Sequence, residues 1–310
     1  MNSRLLFTNN ARRIMGFFSK LFGGRKNDGG AGNEPGLPLE ELSRRLKTPL
    51  IVLQTTPAEY RELRLAKKSG GTRLLHAPLD PLKHIQRQIL RCLLGKLAAH
   101  PAAMGFEAGQ SIATNAAPHV GTAVIVKMDM KDFFTQTTAA RVRSYFVKIG
   151  WSGAAADLLT KLTTHKGGLP QGAPTSPRLS NLVNYQLDAR LFALALKFST
   201  VYTRYADDMT FSFRSDDREQ IALAIRCTKT IVGDYGYSLH QKKKLQIRRQ
   251  HDRMLVTGLV VNTHLNLPRA TRRRLRAVEH HLQAGRPATL SAAQLHGWRA
   301  LEKMLADHRR

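Results

Sequence analysis

Apolar positions along the chain alternate between two periods. Helical spacing recurs over Leu39–Leu46 and over 81–99, where Leu82, Ile85, Ile89, Leu90, Leu93 and Leu97 share a side. It returns over 140–149, 154–162 and 177–197, the last with Leu179, Leu182, Val183, Leu187, Leu191 and Leu194 in register. Further helices are predicted over 218–235, 269–283 and 292–306. Strand-like runs are shorter and rich in β-branched residues. Residues 122–130 (TAVIVKMDM) read as a buried strand, 201–213 (VYTRYADDMTFSF) as strand, tight turn, strand, and 255–261 as another strand. Residues 59–75 give two β-like segments around Ser69-Gly70-Gly71, a hairpin signal. Strands and helices mix without regular βαβ alternation and no repeat is visible, which predicts an α+β fold.

Charge changes the picture more than composition does. Among 310 residues, 49 Lys and Arg face 22 acids, a net charge of +27. Such an excess points to a polyanion partner, most simply nucleic acid or an acidic membrane face, against the bland reading of a solvated charged surface. The apolar fraction of 42% is enough for a sizeable core. Cys92 and Cys227 lie in helix-like apolar stretches and are expected to be buried thiols; neither belongs to a C-x-x-C pair, which speaks against a cysteine zinc site. No run reaches the roughly 18 apolar residues of a membrane span, so a cytoplasmic protein is expected. Residues 12–25 (RRIMGFFSKLFGGR) are basic and amphipathic, but Ser19 and Lys20 interrupt the apolar stretch a signal peptide needs. They read as an extension outside the fold, with contact to a membrane or nucleic acid as the alternative and Met15 as an alternative start. Gly23–Gly36 reads as a flexible linker.

In a chain so poor in acids, the placement of carboxylates is informative. Asp129 ends an apolar strand, where burying a charge is costly unless it is paired or bound to metal. Asp207 and Asp208 are adjacent at the bend of a predicted hairpin, where Asn-Gly or Asp-Gly would serve a plain turn better. A divalent cation would relieve their repulsion. The bland readings are a strand cap and a solvated turn, and Asp216-Asp217 fits the second.

The order of further segments favours chemistry. Asp129 is followed by Phe133 and Phe134, then by GLPQGAPTSP over 168–177, then by Tyr205-Ala206-Asp207-Asp208, then by LHQKKK over 239–244. In this combination the sequence resembles the reverse transcriptases over roughly residues 60 to 300. Within them it is most similar to the bacterial retron type. Asn115-Ala116-Ala117-Pro118-His119 matches an Asn-Ala-x-x-His segment, and Val256-Thr257-Gly258 matches a Val-Thr-Gly triplet after the palm.

The resemblance implies a right-hand polymerase fold with fingers, a palm of antiparallel sheet plus helices, and a small helical thumb. Residues 1–36 would be the basic extension and linker, 37–265 the fingers and palm, and 266–310 the basic thumb. Asp129, Asp207 and Asp208, helped by the Met130 carbonyl, would bind two Mg²⁺ ions that serve primer attack and pyrophosphate departure. Phe134 would be the steric gate selecting deoxynucleotides. Gln171 would line the nucleotide pocket, and Arg73 with Lys67 or Lys68 would grip the triphosphate. Lys243 would assist pyrophosphate departure, although Lys242 and Lys244 blur the register and His240 stands where the family often has Asn. Asn115, His119, Val256, Thr257 and Gly258 would recognise RNA. Arg269, Arg272, Arg273, Arg274 and Arg276 would track the template–primer backbone with salt-dependent affinity.

The implied partners are dNTPs and a dedicated structured noncoding RNA, primed from an internal guanosine 2′-OH and copied into branched multicopy single-stranded DNA (msDNA). A host ribonuclease H and a separate effector protein would complete an antiphage system. The nearest alternative is a group II intron-like or diversity-generating reverse transcriptase. An intron enzyme usually carries further regions after the thumb, for which the roughly 50 residues beyond Val261 leave little room. The alternative from another class is a catalytically silent RNA-binding protein on a polymerase scaffold.

Overall fold

The computed structural model describes residues 36–66, 70–240 and 245–307. The extension and all but the last residue of the expected linker, together with Lys67, Lys68 and Lys242 to Lys244, lie outside the described residues. The amino-proximal part holds helices α1 (Leu39–Leu46) and α2 (Leu50–Thr55), the antiparallel hairpin β1 (Tyr60–Ala66) and β2 (Thr72–Pro78), and α3 (Asp80–Ile89). A π-helical turn, Leu90–Leu94, extends α3. Then come α4 (Ile112–Ala116), a 3₁₀ turn (Ala117–His119), β3 (Val124–Asp129), α5 (Phe133–Gln136), α6 (Ala139–Lys148) and α7 (Gly153–Thr163). Helices α8 (Ser176–Val183) and α9 (Tyr185–Lys197) lead to β4 (Val201–Tyr205), β5 (Asp208–Phe213) and α10 (Arg218–Asp234). The chain closes with β6 (Gln246–Arg249), β7 (Leu255–Val256), β8 (Leu259–Val260), α11 (Arg269–Gln283) and α12 (Ala292–Asp307). The α+β expectation holds.

The central sheet has strand order β4-β5-β3-β6, with every neighbouring pair antiparallel. Its two faces follow from the alternation in β3. Val124, Val126 and Met128 point into a core shared with Met209, Phe211 and Phe213 of β5, Leu187 and Leu191 of α9, and Ile221 and Val232 of α10. Ile125, Lys127 and Asp129 take the other face, because strand side chains alternate. Ile125 packs there against Ala113 and Ala116 of α4 and Val256 of β7, in a core that also takes Leu275 of α11 and Leu305 of α12. A third core joins α1, α3, α6, α7 and α8 through Leu42, Leu46, Leu82, Ile89, Phe146, Leu159 and Leu179.

Four sequence expectations are corrected. The helix predicted over 177–197 divides at Asn184. The Asn184 amide donates to the Ser180 carbonyl (2.8 Å) and to the Tyr237 hydroxyl (2.8 Å), while its carbonyl oxygen accepts from Arg141 (2.6 Å). A side chain that competes for helix carbonyls interrupts the ladder. The strand predicted over 255–261 is a tight hairpin, with Thr257 and Gly258 both at positive φ (47° and 83°). The predicted 81–99 helix gives way beyond Ile89 to the π turn. The cysteines are not core thiols: Cys92 is exposed and Cys227 partly so. The Asp216-Asp217 pair is exposed, as expected, but both acids have partners: Asp216 pairs with Arg249 (2.6 Å), and Asp217 accepts the Glu219 and Gln220 amides as the N-cap of α10.

Beneath the β4–β5 turn lies a fully buried ion pair. Arg204 bonds both Asp188 carboxylate oxygens (2.7 and 2.6 Å) and the Ala206 carbonyl (2.9 Å), and the Tyr202 hydroxyl donates to Asp188 (3.0 Å). Burial alone would lower the Arg204 pKa, but the Asp188 charge and hydrogen bonds outweigh it and hold the guanidinium charged. Removing one partner of a buried pair strands the other charge. Arg204→Met should therefore destabilise by about 3–5 kcal/mol in urea unfolding, and adding Asp188→Leu should restore a good part of that. Equal stability of the single and double variants would show that the stranded carboxylate costs nothing.

Candidate active site

The three candidate acids converge at one end of the central sheet. Asp129 is the direct cross-strand partner of Asp208, and Met130 N–H donates to the Asp207 carbonyl (2.9 Å). Directly paired residues present their side chains on the same face, so Asp129 and Asp208 share the face that carries Lys127. The β4–β5 turn is tight: Tyr205 pairs with Asp208, and between them Ala206 sits at φ 58°, a region that favours glycine. Gly105 allows the neighbouring chain to close on this turn, since a Cβ there would meet Ala206 N at 2.8 Å. The Arg204 bond to the Ala206 carbonyl holds the turn from below.

Basic side chains already face these acids. Lys127 Nζ lies 2.8 Å from Asp208, and His240 Nε2 lies 3.5 Å from Asp129, whose carbonyl also accepts from the His240 amide (3.0 Å). Among the described residues, no group of three or more His, Cys, Asp or Glu side chains is gathered into a metal-chelating array. The backbone brings the acids together, while Lys127 and His240 lie against two of their side chains. Neither residue was singled out from sequence as an acid's partner. Lys127 was legible, since it lies two residues before Asp129 and therefore on its face.

Phe134 is half-buried against Phe133, and its carbonyl accepts from Leu169 N–H (3.2 Å). A Cβ at Gly168 would collide with the Thr135 backbone, so glycine lets this loop close on α5. Gln171 is partly exposed, and its carbonyl accepts from His76 N–H (2.8 Å) at the root of the β1–β2 hairpin. The loop thus joins Phe134 to the hairpin that carries Arg73. Arg73 itself is exposed on β2, opposite Leu65. Lys67 and Lys243 lie outside the described residues. Met130 is buried, its backbone running between Asp207 and Leu239.

The expected RNA-contact residues divide by exposure. Asn115, His119 and Val256 are each 1% exposed or less, so direct contact of these side chains with RNA is corrected. They support the polar face and the Thr257-Gly258 turn instead. His119 bonds Ser212 and Thr203 (2.8 Å to the latter) across β5 and β4. Asn115 reaches Thr257 (3.5 Å), whose hydroxyl donates to the Ile112 carbonyl (2.8 Å). Thr257 is partly exposed and Gly258 exposed. A β-branched residue at positive φ is uncommon, and this one is held in place by α4. Arg269, Arg272, Arg273, Arg274 and Arg276 are all exposed on α11, while Leu275 and Val278 face inward. Arg269, Arg272 and Arg276 line a cleft of about 250 Å³ with Arg299 and Glu302 of α12.

A family model described as reverse transcriptase (RNA-dependent DNA polymerase) matches residues 65–261. The chain is 40% identical over 264 residues to the retron Mx65 reverse transcriptase of Myxococcus xanthus, covering 79% of this chain and 61% of that protein. It is 37% identical to the retron Mx162 reverse transcriptase of the same organism, covering 75% and 54%. Against the retron Ec86 reverse transcriptase of Escherichia coli it is 34% identical, covering 82% and 78%. The matched region thus spans less than two thirds of both Myxococcus proteins. Among the described residues no helix is long and apolar enough to cross a membrane.

The buried histidine gives a pH prediction. Burial, with a smaller contribution from Lys127, pushes the His119 pKa down to about 3. The unfolded chain takes up this proton near pH 6.5, the folded protein only near 3, so the unfolded state binds more protons between those values. Stability falls as pH drops below about 6.5, by up to about 1.4 kcal/mol per pH unit from this group, and the group contributes no slope above that. His119→Asn should flatten the curve, so that wild type and variant converge on acidification. A constant gap between the two from about pH 7 to pH 5 would refute this.

Proposed function

Because the chain belongs to the reverse transcriptase (RNA-dependent DNA polymerase) family, we propose that it is an RNA-directed DNA polymerase of the retron type. The observation that supports this most directly is the pairing of Asp129 with Asp208, with Asp207 bonded through its carbonyl to Met130. A protein that only bound RNA would gain nothing from acids gathered where a polyanion must approach.

Reverse transcriptases generally use divalent metal ions, and the donor set here suits a hard cation, since it consists of carboxylate and carbonyl oxygens. Asp129, Asp207, Asp208 and the Met130 carbonyl would hold it. When bound, a pair of such ions supplies charge stabilisation to the attacking and leaving oxygens of an in-line phosphoryl displacement. The chain's own residues bind and orient the reactants. Phe134 lies under the sugar of the incoming nucleotide and excludes a 2′-OH. Gln171 lines the same pocket, while Arg73 and Lys67 grip the triphosphate. Lys243 assists the departure of pyrophosphate. The α11 arginines follow the duplex backbone through phosphate contacts, which carry affinity without sequence.

We further infer that the template is a structured noncoding RNA, and that the product is a branched RNA–DNA molecule made as part of an antiphage system. The exposed Thr257-Gly258 turn is the contact proposed for that RNA, with Asn115, His119 and Val256 fixing its shape from behind. A host ribonuclease H and a separate effector act alongside.

Primer extension on an RNA template tests the chemistry. Asp129→Asn, Asp207→Ala and Asp208→Ala should each lower nucleotide incorporation by several orders of magnitude, and a chelator should abolish it in wild type. Incorporation by Asp207→Ala plus Asp208→Ala at the wild-type rate would overturn the mechanism. Phe134→Ala should admit ribonucleotides that the wild type rejects, read as rNTP against dNTP kcat/KM. Nucleic acid co-purified from the native host should contain DNA joined to RNA through a 2′ linkage. Linear cDNA alone would favour an intron-like or diversity-generating enzyme. Deleting the gene and challenging with phage tests the defence role, which unchanged plating would exclude.

A further inference from the structure

Phe106 combines two costs that no core requirement explains. It lies at φ 66°, a backbone region that bulky L-residues avoid, and the residue is 43% exposed. An exposed aromatic on a strained backbone persists only where the surroundings hold it.

They hold it from several directions. Met104 N–H donates to the Arg204 carbonyl (2.8 Å), and Arg204 N–H donates to the Ala102 carbonyl (2.7 Å), stitching this segment alongside β4. The Asn181 amide of α8 donates to the Gly105 carbonyl (2.6 Å) and to Glu107 (2.8 Å). Arg178, also on α8, pairs with the same Glu107 carboxylate. Gly105 sits so close to the Ala206 backbone that no side chain fits there. The residues on either side of Phe106 are therefore clamped to β4, to the β4–β5 turn and to α8. The ring that results stands 6.2 Å from Phe134 and 6.2 Å from Tyr205. Phe134 is the proposed sugar gate, and Tyr205 pairs with Asp208 on the acid-bearing face.

We propose that Phe106 is a substrate-binding residue, an aromatic contact for the base pair at the growing end of the RNA–DNA duplex. This rests on the polymerase reading and adds a residue to its site. The ring joins the gate to the hairpin tyrosine, so the three aromatics form one floor beside the acids. The contact surface is apolar, because the flanking carboxylate of Glu107 is taken up by Arg178 and Asn181. An apolar ring suits a nucleobase or the carbon face of a sugar, whereas a phosphate would need a cation. The incoming sugar already has Phe134, which leaves the terminal base pair as the partner for Phe106.

The test uses the full chain and a labelled RNA template annealed to a shorter DNA primer. Phe106→Ala should weaken template–primer affinity in fluorescence anisotropy by about tenfold, the range expected for losing one aromatic–base contact. Binding of single-stranded RNA should stay at the wild-type value. Phe106→Tyr should restore duplex affinity. Phe106→Gly, which relieves the positive φ, should raise Tm while losing the same affinity, a combination that a structural role cannot give. Unchanged duplex affinity in Phe106→Ala, a change in dNTP KM alone, or a fall in Tm for Phe106→Gly would each overturn the proposal. If wild type binds the duplex but extends no primer, the polymerase reading fails while the affinity comparison still decides the fate of Phe106.

Discussion

The Arg204–Asp188 ion pair sits where three parts of the molecule must agree. Asp188 comes from α9, Arg204 from β4, and the third guanidinium bond goes to the Ala206 carbonyl in the turn. The guanidinium also lies 5.3 Å from the ring centroid of Phe133, the neighbour of the proposed sugar gate Phe134. A charged pair without solvent exposure keeps its place only while its hydrogen bonds are complete. Any shift of α9, of β4 or of the turn breaks one of them. The position of Asp207 and Asp208 therefore follows from a network on the opposite, buried side of the sheet.

The sheet divides its labour by face. The apolar face, built on Val124, Val126, Met128, Met209 and Phe211, supplies the burial that fixes strand register. The other face carries Thr203, Thr210 and Ser212, which are buried but polar, and these run toward Lys127, Asp129 and Asp208. His119 bridges Ser212 and Thr203, and burial keeps its imidazole neutral. The polar face is thus sealed by α4 at one end and open at the end where the acids lie. The same helix α4 reaches through Asn115 to the Thr257-Gly258 turn. One short helix, closed by a Ser111–Thr114 capping box, therefore ties the proposed RNA-contact turn to the sheet that carries the acids.

Backbone strain recurs at the site. Of the seven non-glycine residues with positive φ among the described residues, Phe106, Asp132, Ala206 and Thr257 belong to it, while Lys47, Lys166 and Ser199 belong to other turns. Ala206 adjoins Asp207, Phe106 stands 6.2 Å from Tyr205, Asp132 precedes α5, and Thr257 is in the proposed RNA-contact turn. Such conformations cost stability and survive where surrounding bonds over-determine them. Here those bonds are the Arg204 and Asn181 networks and the Thr257 tie to Ile112.

The sequence by itself determined the strand at 124–129, the hairpin at 201–213, most helices, the basic face of α11 and the candidate acids. These are local signals: alternation, helical period and the rarity of Asp in a chain of +27 charge. Tertiary structure decided what depends on partners distant in the chain. Asn184 breaks a periodic helix because its side chain is held by two distant partners, donating to the Tyr237 hydroxyl and accepting from Arg141. His119 and Asn115 are buried and bonded within the protein because α4 lies over the sheet, which no property of an Asn-Ala-x-x-His string reveals. Phe106 reads as an ordinary apolar residue until the fold places it, strained and exposed, beside Phe134 and Tyr205. Period and composition report which face a residue takes within its own element. Which elements meet, and which side chain is left facing the cleft, follows only from packing.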